Sequence, residues 1–361
     1  MLIHTFEATV QLSNEKFYAI QSEVKSDHKW TRRENGMTYF GAKDDGILIR
    51  FSRSKKRKFK GYWLKYIISA RRVMEPNNYI GLFDIADYQK LIEKVNRKLK
   101  KICPMLPKIE TCSVSRIDFC VNAYLDNQEL VKAYVKLAKR CRMPHSLEHS
   151  EEYYDKKTKE TKRRKDEMTV SSQSYMELSI YNKYAQMHKE TNYPYPSKQL
   201  EKAKPILRLE VRCMEDKIKH LRKRYKERFP LYTIKDFLIH GEEIGEYLYE
   251  YYLSKMFCHG DFYTLPEARQ RVQMSGYDEK TREAMIDLLE EANTARSLNK
   301  ACKLFADERV YGKKYMKYLL FKFDQIQTSP ITVPREIQKV FGDVQIPHPL
   351  ELFHAWNDDA Q

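Results

Sequence analysis

Three separated segments of this chain, residues 114–125, 175–183 and 204–213, alternate apolar side chains with charged or hydrogen-bonding ones. A period of two is typical of a β-strand that buries one face. The polar positions are Arg116, Asp118 and Asn122 in the first segment, Glu177, Ser179, Tyr181 and Lys183 in the second, and Arg208, Glu210 and Arg212 in the third. If the strands are neighbours, carboxylates, cations and a tyrosine meet on one face. Such a set suits chemistry on a phosphodiester.

The charge of the chain indicates a polyanionic partner. Its 66 Lys and Arg outnumber its 50 Asp and Glu, which gives a net charge of +16 over 361 residues. Three runs concentrate the positive charge, with six basic residues in 53–60 and seven each in 156–165 and 217–228. One such run is usually a solvated face, but three favour nucleic acid. An aromatic content of 12% also offers stacking surfaces for bases.

The residues predicted to contact DNA come from these runs and from the third strand. They are Lys55, Lys56, Arg57, Lys58, Lys162, Arg163, Arg164, Lys165, Arg212, Arg222, Lys223 and Arg224. Residues 142–165 have no apolar period, which predicts a protruding hairpin or a mobile loop that serves as a DNA-contacting arm.

Seven cysteines, an odd number without any C-x-x-C pair, indicate reduced thiols in a cytoplasmic protein and argue against a zinc site. The longest apolar stretches, such as residues 66–70, are far shorter than the ~20 residues of a membrane span. We therefore expect a cytoplasmic protein that contacts no membrane.

The order of the predicted elements indicates an internal duplication with a spacing of about 114 residues. The first copy has strand 2–12, helix 14–24, a hairpin of 37–41 and 47–52 around Asp44, Asp45 and Gly46, strand 61–70 and helix 88–101. The second has strand 113–125, helix 128–141 opened by an Asp126-x-x-Glu129 capping box, strands 167–172, 175–183 and 204–213, and helix 215–226. We expect an α+β fold in which duplicated β-α-β-β-β-α modules form a mainly antiparallel sheet flanked by helices, followed by a C-terminal helical domain.

Tyr181 has the setting of a nucleophile toward phosphorus. A phenol, with an ordinary pKa of about 10, attacks phosphate when nearby cations stabilise the phenolate and a divalent cation polarises the phosphate. Lys183, Arg116 and Arg208 supply positive charge. Asp118 and Glu210, at the centres of their strands, offer the oxygen ligands that Mg²⁺ or Mn²⁺ prefers. The competing interpretation is that each carboxylate forms a cross-strand ion pair.

Three short motifs, in this order, carry a family resemblance: Ser113-Val-Ser-Arg-Ile-Asp118, Leu178-Ser-Ile-Tyr-Asn-Lys183 and Leu207-Arg-Leu-Glu-Val-Arg212. They resemble the rolling-circle replication initiators of filamentous phages, of the gene II protein type, and the related initiators and relaxases of Gram-positive plasmids. The resemblance covers residues 111–222. It implies that Tyr181, followed by Lys183, is the nucleophile, that Asp118 is a metal ligand, and that Glu210 lies beside Arg208 and Arg212.

The implied activity is metal-dependent, site-specific nicking and joining of DNA through a 5′-phosphotyrosine. The implied partners are origin DNA, both duplex and single-stranded, and a host helicase, polymerase and single-strand-binding protein; a homodimer is compatible with this activity. Residues 1–108 would be a DNA-binding or structural module, 109–228 the nicking module with its basic arm, and 229–361 the helical domain. A conjugative relaxase and a non-catalytic origin-binding protein are the alternatives.

Two features depart from the family pattern. Many nicking initiators hold their metal with a His-hydrophobic-His pair, which is not found in this sequence. His4 is the counterpart of Asp118 in the first copy and could reach the same metal, although a lone strand histidine is usually packed. Tyr184 becomes an alternate nucleophile if the chain turns helical at Asn182, because the two tyrosines would then share a helix face.

Overall fold

A computed structural model describes residues 2–25, 30–32, 38–40, 46–54, 61–76, 78–144, 147–155, 159–172, 174–189, 195–308, 312–334, 337–338, 346 and 348–358. The strands are β1 (Leu2–Leu12), β2 (Trp30–Arg32), β3 (Thr38–Phe40), β4 (Ile47–Ser54), β5 (Gly61–Ser69), β6 (Ser113–Tyr124), β7 (Glu148–His149), β8 (Glu152–Asp155), β9 (Glu160–Arg163), β10 (Glu167–Ser172), β11 (Met176–Asn182) and β12 (Ile206–Cys213). The helices are α1 (Asn14–Lys25), α2 (Ala70–Met74), α3 (Tyr88–Ile102), α4 (Gln128–Lys139), α5 (Lys183–Lys189), α6 (Ser197–Ala203), α7 (Glu215–Tyr225), α8 (Ile234–Ile239), α9 (Gly241–Phe257), α10 (Leu265–Gln273), α11 (Glu279–Thr294), α12 (Leu298–Glu308), α13 (Gly312–Gln325) and α14 (Pro349–Asp358).

Ten of these strands form one sheet in the hydrogen-bonded order β2-β3-β4-β5-β1-β6-β12-β11-β10-β7. The pairs β2–β3, β3–β4, β4–β5, β5–β1, β1–β6 and β10–β7 are antiparallel. Strands β8 and β9 form a separate antiparallel hairpin, as one of the two interpretations of segment 142–165 predicted. The expectation of a mixed fold of helices with a large antiparallel sheet is confirmed.

The chain divides into two compact units, each assembled from several stretches. The first consists of Met1–Val121, Ser172–Leu178 and Glu210–Glu246, and the second of Asn122–Ser171, Ser179–Leu209 and Tyr247–Gln361. This division differs from the predicted boundaries after residues 108 and 228. The reason is that five elements each contribute residues to both units, namely β6, β10, β11, β12 and α9.

In the first unit, helices α1 and α3 bury apolar residues that are spaced three or four apart. Phe17, Ile20 and Val24 form the buried stripe of α1, and the Phe17 ring meets the Phe51 ring of β4 edge-on at 5.5 Å. The stripe of α3 consists of the buried Leu91, Val95 and Leu99. This spacing places the apolar side chains of each helix on one face, which is the face that is buried.

In the second unit, helices α10 to α13 follow one another with short connections. Helix α10 begins with a capping box, in which Glu267 accepts hydrogen bonds from the Thr264 amide and hydroxyl at 3.0 and 2.7 Å. Gly260, with φ +93°, lies so close to the backbone of Gln327 and Thr328 that an added Cβ would come within 2.4 Å of it. Only glycine fits this approach.

Some local predictions need correction. Helix α4 is capped by Asn127, which accepts a hydrogen bond from the Leu130 amide, and not by Asp126. Helices α2, α5, α6, α12, α13 and α14 were not predicted. The predicted hairpin of β3 with β4 is present, but Asp44 and Asp45 lie outside the described residues. Within the described part of the chain, no helix combines the length and apolar character needed to cross a bilayer.

Candidate functional site

The charged side chains of β6, β11 and β12 that belong to the first unit form one network. Arg116 binds Asp118 with two donors, Nε to Oδ1 at 2.8 Å and Nη2 to Oδ2. Arg212 approaches the same carboxylate through Nε at 3.5 Å. Its other two nitrogens reach Glu177 at 2.5 Å and Glu210 at 3.1 Å. The convergence that the alternating pattern predicted is therefore confirmed for these five residues.

The network continues onto β1 and β5. Glu7 accepts a hydrogen bond from Nη1 of Arg116 at 3.2 Å and another from Nζ of Lys65 at 2.6 Å. The pairing of β1 with β6 places Glu7 opposite Arg116, so the strand register itself creates this contact. Glu7 and Lys65 were missed by the sequence analysis, although both lie on the period-two positions of their strands.

Burial and charge act against each other at the centre of this network. Loss of solvation raises the pKa of the fully buried Asp118 to about 6, although Arg116 opposes the rise, and the nearby Glu210 charge adds to it. At Glu7 burial also works to raise the pKa, but Lys65 and Arg116 outweigh it and the pKa is lowered. Burial works to lower the pKa of the Arg212 guanidinium, but its three carboxylate partners outweigh burial and raise that pKa. Glu7 and Arg212 are therefore charged at neutral pH.

A group of metal-ligand type lies in the same unit. One donor atom from each of His4, Cys120 and Glu210 lies within 4.8 Å of the other two. Cys120 was missed by the sequence analysis, yet it follows Asp118 by two residues and so occupies the same face of β6. The predicted ligands His4 and Glu210 are thus together, but the third member is Cys120.

Asp118 fits poorly as a metal ligand. Both of its oxygens accept hydrogen bonds from Arg116, so a Mg²⁺ or Mn²⁺ ion on this carboxylate would have to displace a guanidinium. The geometry favours the competing interpretation for Asp118, in which the Arg-x-Asp motif is an ion pair. Here the pair lies within one strand.

Tyr181 and Lys183 belong to the second unit. Tyr181 is 8% exposed and Lys183 5% exposed, so both side chains are more buried than a solvated polar face would be. The Lys183 ammonium donates to Oε1 of Gln186 at 2.8 Å. Asn182 between them starts α5, because its Oδ1 accepts a hydrogen bond from the Ala185 amide at 3.1 Å.

The helix therefore begins after Tyr181, at Lys183. Tyr181 is a strand residue and Tyr184 a helix residue, so the predicted common helix face does not form. The half-buried Tyr184 ring instead lies 5.5 Å from the His188 ring, with Nζ of Lys204 at 5.9 Å from its centre. Arg208, also in this unit, is fully buried and donates from Nε to Oδ1 of Asn122 at 2.7 Å.

The predicted DNA contacts separate into exposed and engaged residues. Lys55, Lys56, Arg57 and Lys58 lie outside the described residues. In the arm, Lys165 is exposed and the side chain of Arg163 is 79% exposed. Lys162 is half-buried, while Arg164 pairs with Glu167 and lies 5.4 Å from the Tyr153 ring.

On α7, Lys223 and Arg224 are exposed, but two other basic residues of this run serve the fold. Arg222 donates to the backbone carbonyls of Leu231 and Tyr232 at 2.6 and 3.1 Å. Lys217 is buried, with Nζ 5.1 Å from the centre of the Tyr175 ring. A run of basic residues in the sequence does not show which of its side chains contact the protein and which face solvent.

Comparison of the sequence with protein-family models gave no match, and comparison with curated proteins gave no significant one.

Proposed function

We propose that this chain is a site-specific DNA nicking and joining protein that starts rolling-circle replication of a phage, plasmid or mobile element. The observation that carries the proposal is the network of Arg116, Asp118, Glu177, Glu210 and Arg212. Guanidinium groups bind phosphate oxygens well when carboxylates fix their orientation beforehand. The network provides two such guanidinium groups.

In the proposed reaction, Oη of Tyr181 attacks the scissile phosphorus and loses its proton. The bond from phosphorus to the 3′ oxygen breaks and that oxygen takes up a proton to replace the one that the phenol lost, which leaves a 5′-phosphotyrosine and a 3′-hydroxyl that a host polymerase extends. Rejoining is the reverse attack by a 3′-hydroxyl. Lys183 would stabilise the phenolate. A bound divalent cation would polarise the phosphate, and His4 and Glu210 are its proposed ligands.

The strand order supports the proposed duplication. Outward from the central pair β1–β6, the neighbours are β5, β4, β3 and β2 on one side and β12, β11, β10 and β7 on the other. In the first module the first strand, β1, lies beside the last strand, β5, and β4 follows. In the second module the first strand, β6, lies beside the last strand, β12, and β11 follows. We propose that the first module is mainly structural, that the second carries the chemistry, and that the C-terminal helices form a domain of their own.

A non-catalytic origin-binding protein is the second candidate function. The pairing of Arg116 with Asp118 favours it, since arginines neutralised within the protein can simply fix the sheet. A conjugative relaxase would share the proposed chemistry and differ in its transfer partners.

The test is incubation of supercoiled plasmid carrying the native origin with the full chain, in Mg²⁺ or Mn²⁺ and in EDTA. We expect open-circular DNA with protein covalently attached to a 5′ end, and no product in EDTA. Tight binding of the origin without any nicked or covalent product would favour the non-catalytic alternative and refute the proposal.

A further inference from the structure

We infer that the first unit binds a zinc-type divalent cation through the imidazole of His4, the thiolate of Cys120 and the carboxylate of Glu210. The three donor atoms lie within 4.8 Å of one another, on the adjacent strands β1, β6 and β12. Zinc bonds of about 2.0–2.3 Å at tetrahedral angles place ligand atoms roughly 3.3–3.7 Å apart. A closure of about 1 Å, within the reach of side-chain rotation, completes such a site.

The sulfur atom decides the class of cation. Mg²⁺ and Mn²⁺ take oxygen ligands, whereas a set of nitrogen, sulfur and oxygen donors suits Zn²⁺ and its substitute Co²⁺. The prediction of no zinc site rested on an odd number of cysteines without any C-x-x-C pair. Here the ligands are residues 4, 120 and 210, and the sheet brings them together, so a local motif is not needed.

A β-bulge explains why His4 belongs to this group. In the pairing of β1 with β6, Ile3 lies opposite Phe119 and Thr5 opposite Asp118, which leaves His4 as the extra residue. Bulges redirect side chains and are frequent next to functional sites. Nδ1 of His4 lies 3.1 Å from Oγ1 of Thr5, a contact that orients the imidazole ring.

The surroundings orient the carboxylate as well. Nη2 of Arg212 donates to Oε1 of Glu210 at 3.1 Å, so the charged network fixes one ligand of the proposed site. Three protein ligands leave a fourth coordination position for water or a phosphate oxygen, as in zinc sites that do chemistry rather than zinc sites that only hold a fold.

The test uses Co²⁺ as the probe, added to the full chain after removal of metals with a chelator and in the absence of DNA. We expect one equivalent to bind, with a thiolate-to-cobalt charge-transfer band in the near ultraviolet, and Zn²⁺ to abolish the band. Cys120→Ser should lose the band, and His4→Ala and Glu210→Gln should each weaken binding 10–100-fold. Cys112→Ser is the matched control, because Cys112 is also buried but lies outside the group.

Absence of a stoichiometric thiolate–cobalt band in the wild-type chain overturns the inference, whatever the variants do. So does an unchanged band in a folded Cys120→Ser variant. The site shares His4 and Glu210 with the proposed function, but the measurement involves no DNA, so the two failures are distinguishable: loss of the band removes this group as a metal site, whereas loss of nicking with the band intact refutes only the proposed reaction.

Discussion

The polar network around Asp118 and the β8–β9 hairpin both contain arginine, but in opposite settings. In the network, Arg212 contacts three carboxylates and its side chain is 25% exposed. On the hairpin, Arg163 is 79% exposed and its partner Glu152 is 3.9 Å away. Exposed ion pairs contribute about 0–1 kcal/mol, whereas a buried charge that loses its partner is strongly destabilising. The network arginine therefore holds structure and site together, while the hairpin arginine is available to a ligand.

The largest expected effect is on stability and tests this contrast directly. Arg212→Met leaves the carboxylates of Asp118, Glu177 and Glu210 without a shared cation, and we expect a loss of about 2–4 kcal/mol in the free energy of unfolding. Arg163→Met, the matched control, should change it by less than about 0.5 kcal/mol. Urea denaturation of both variants makes the comparison. Equal losses of stability in the two variants would contradict the claim that Arg212 stabilises the fold and Arg163 does not.

The buried side chain of His348 makes the stability of the fold depend on pH. Burial lowers the pKa of His348 to about 4, and its Nε2 lies 2.6 Å from the carbonyl oxygen of Cys258. Because the unfolded chain takes up this proton more readily, the stabilising contribution is complete above about pH 6.5 and is lost as pH falls toward 4. We expect about 2–3 kcal/mol for this loss. His348→Gln should flatten the stability profile between pH 6.5 and 4, and a profile with the wild-type slope would contradict the assignment.

The smallest expected effect concerns DNA binding by the arm. Removing one phosphate contact should reduce the slope of log K against log salt by about 0.9. Replacing Lys162, Arg163, Arg164 and Lys165 by Ala should weaken binding of duplex origin and flatten its salt dependence, with cleavage of single-stranded nick-site oligonucleotides retained. Arg163 and Lys165 should account for most of the change, because Arg164 pairs with Glu167. Binding curves that coincide with the wild type at every salt concentration would show the arm to be a solvated hairpin.

Part of the site could be predicted because strand periodicity is a local property. The alternation around Arg116, Glu177 and Glu210 determines which side chains share a face. The contact of Arg116 with Glu7 and the joining of His4 to Cys120 depend on register and on a bulge, which are set by pairing between distant segments. The role of Arg222 could not be predicted either, because the carbonyl oxygen that accepts its hydrogen bond belongs to Leu231, beyond the end of α7.

The secondary structure could likewise be predicted only in part. Strands such as β1 and helices such as α3 were predicted within one residue, because their apolar period is long and regular. Other helices were missed, among them the short α5 and α6 and the longer α13. Helix α5 follows β11 directly, and its start depends on the side-chain contact of Asn182 with the Ala185 amide rather than on a periodic pattern.

The most direct test of the proposed chemistry is the covalent adduct with a labelled single-stranded oligonucleotide that carries the origin nick site. The wild type and Tyr184→Phe should both form the adduct, with the 5′-phosphate on Tyr181 by peptide mapping. Tyr181→Phe should form none while it still binds the origin with nearly wild-type affinity. An adduct formed by Tyr181→Phe in undiminished yield would contradict the role of Tyr181 as the nucleophile.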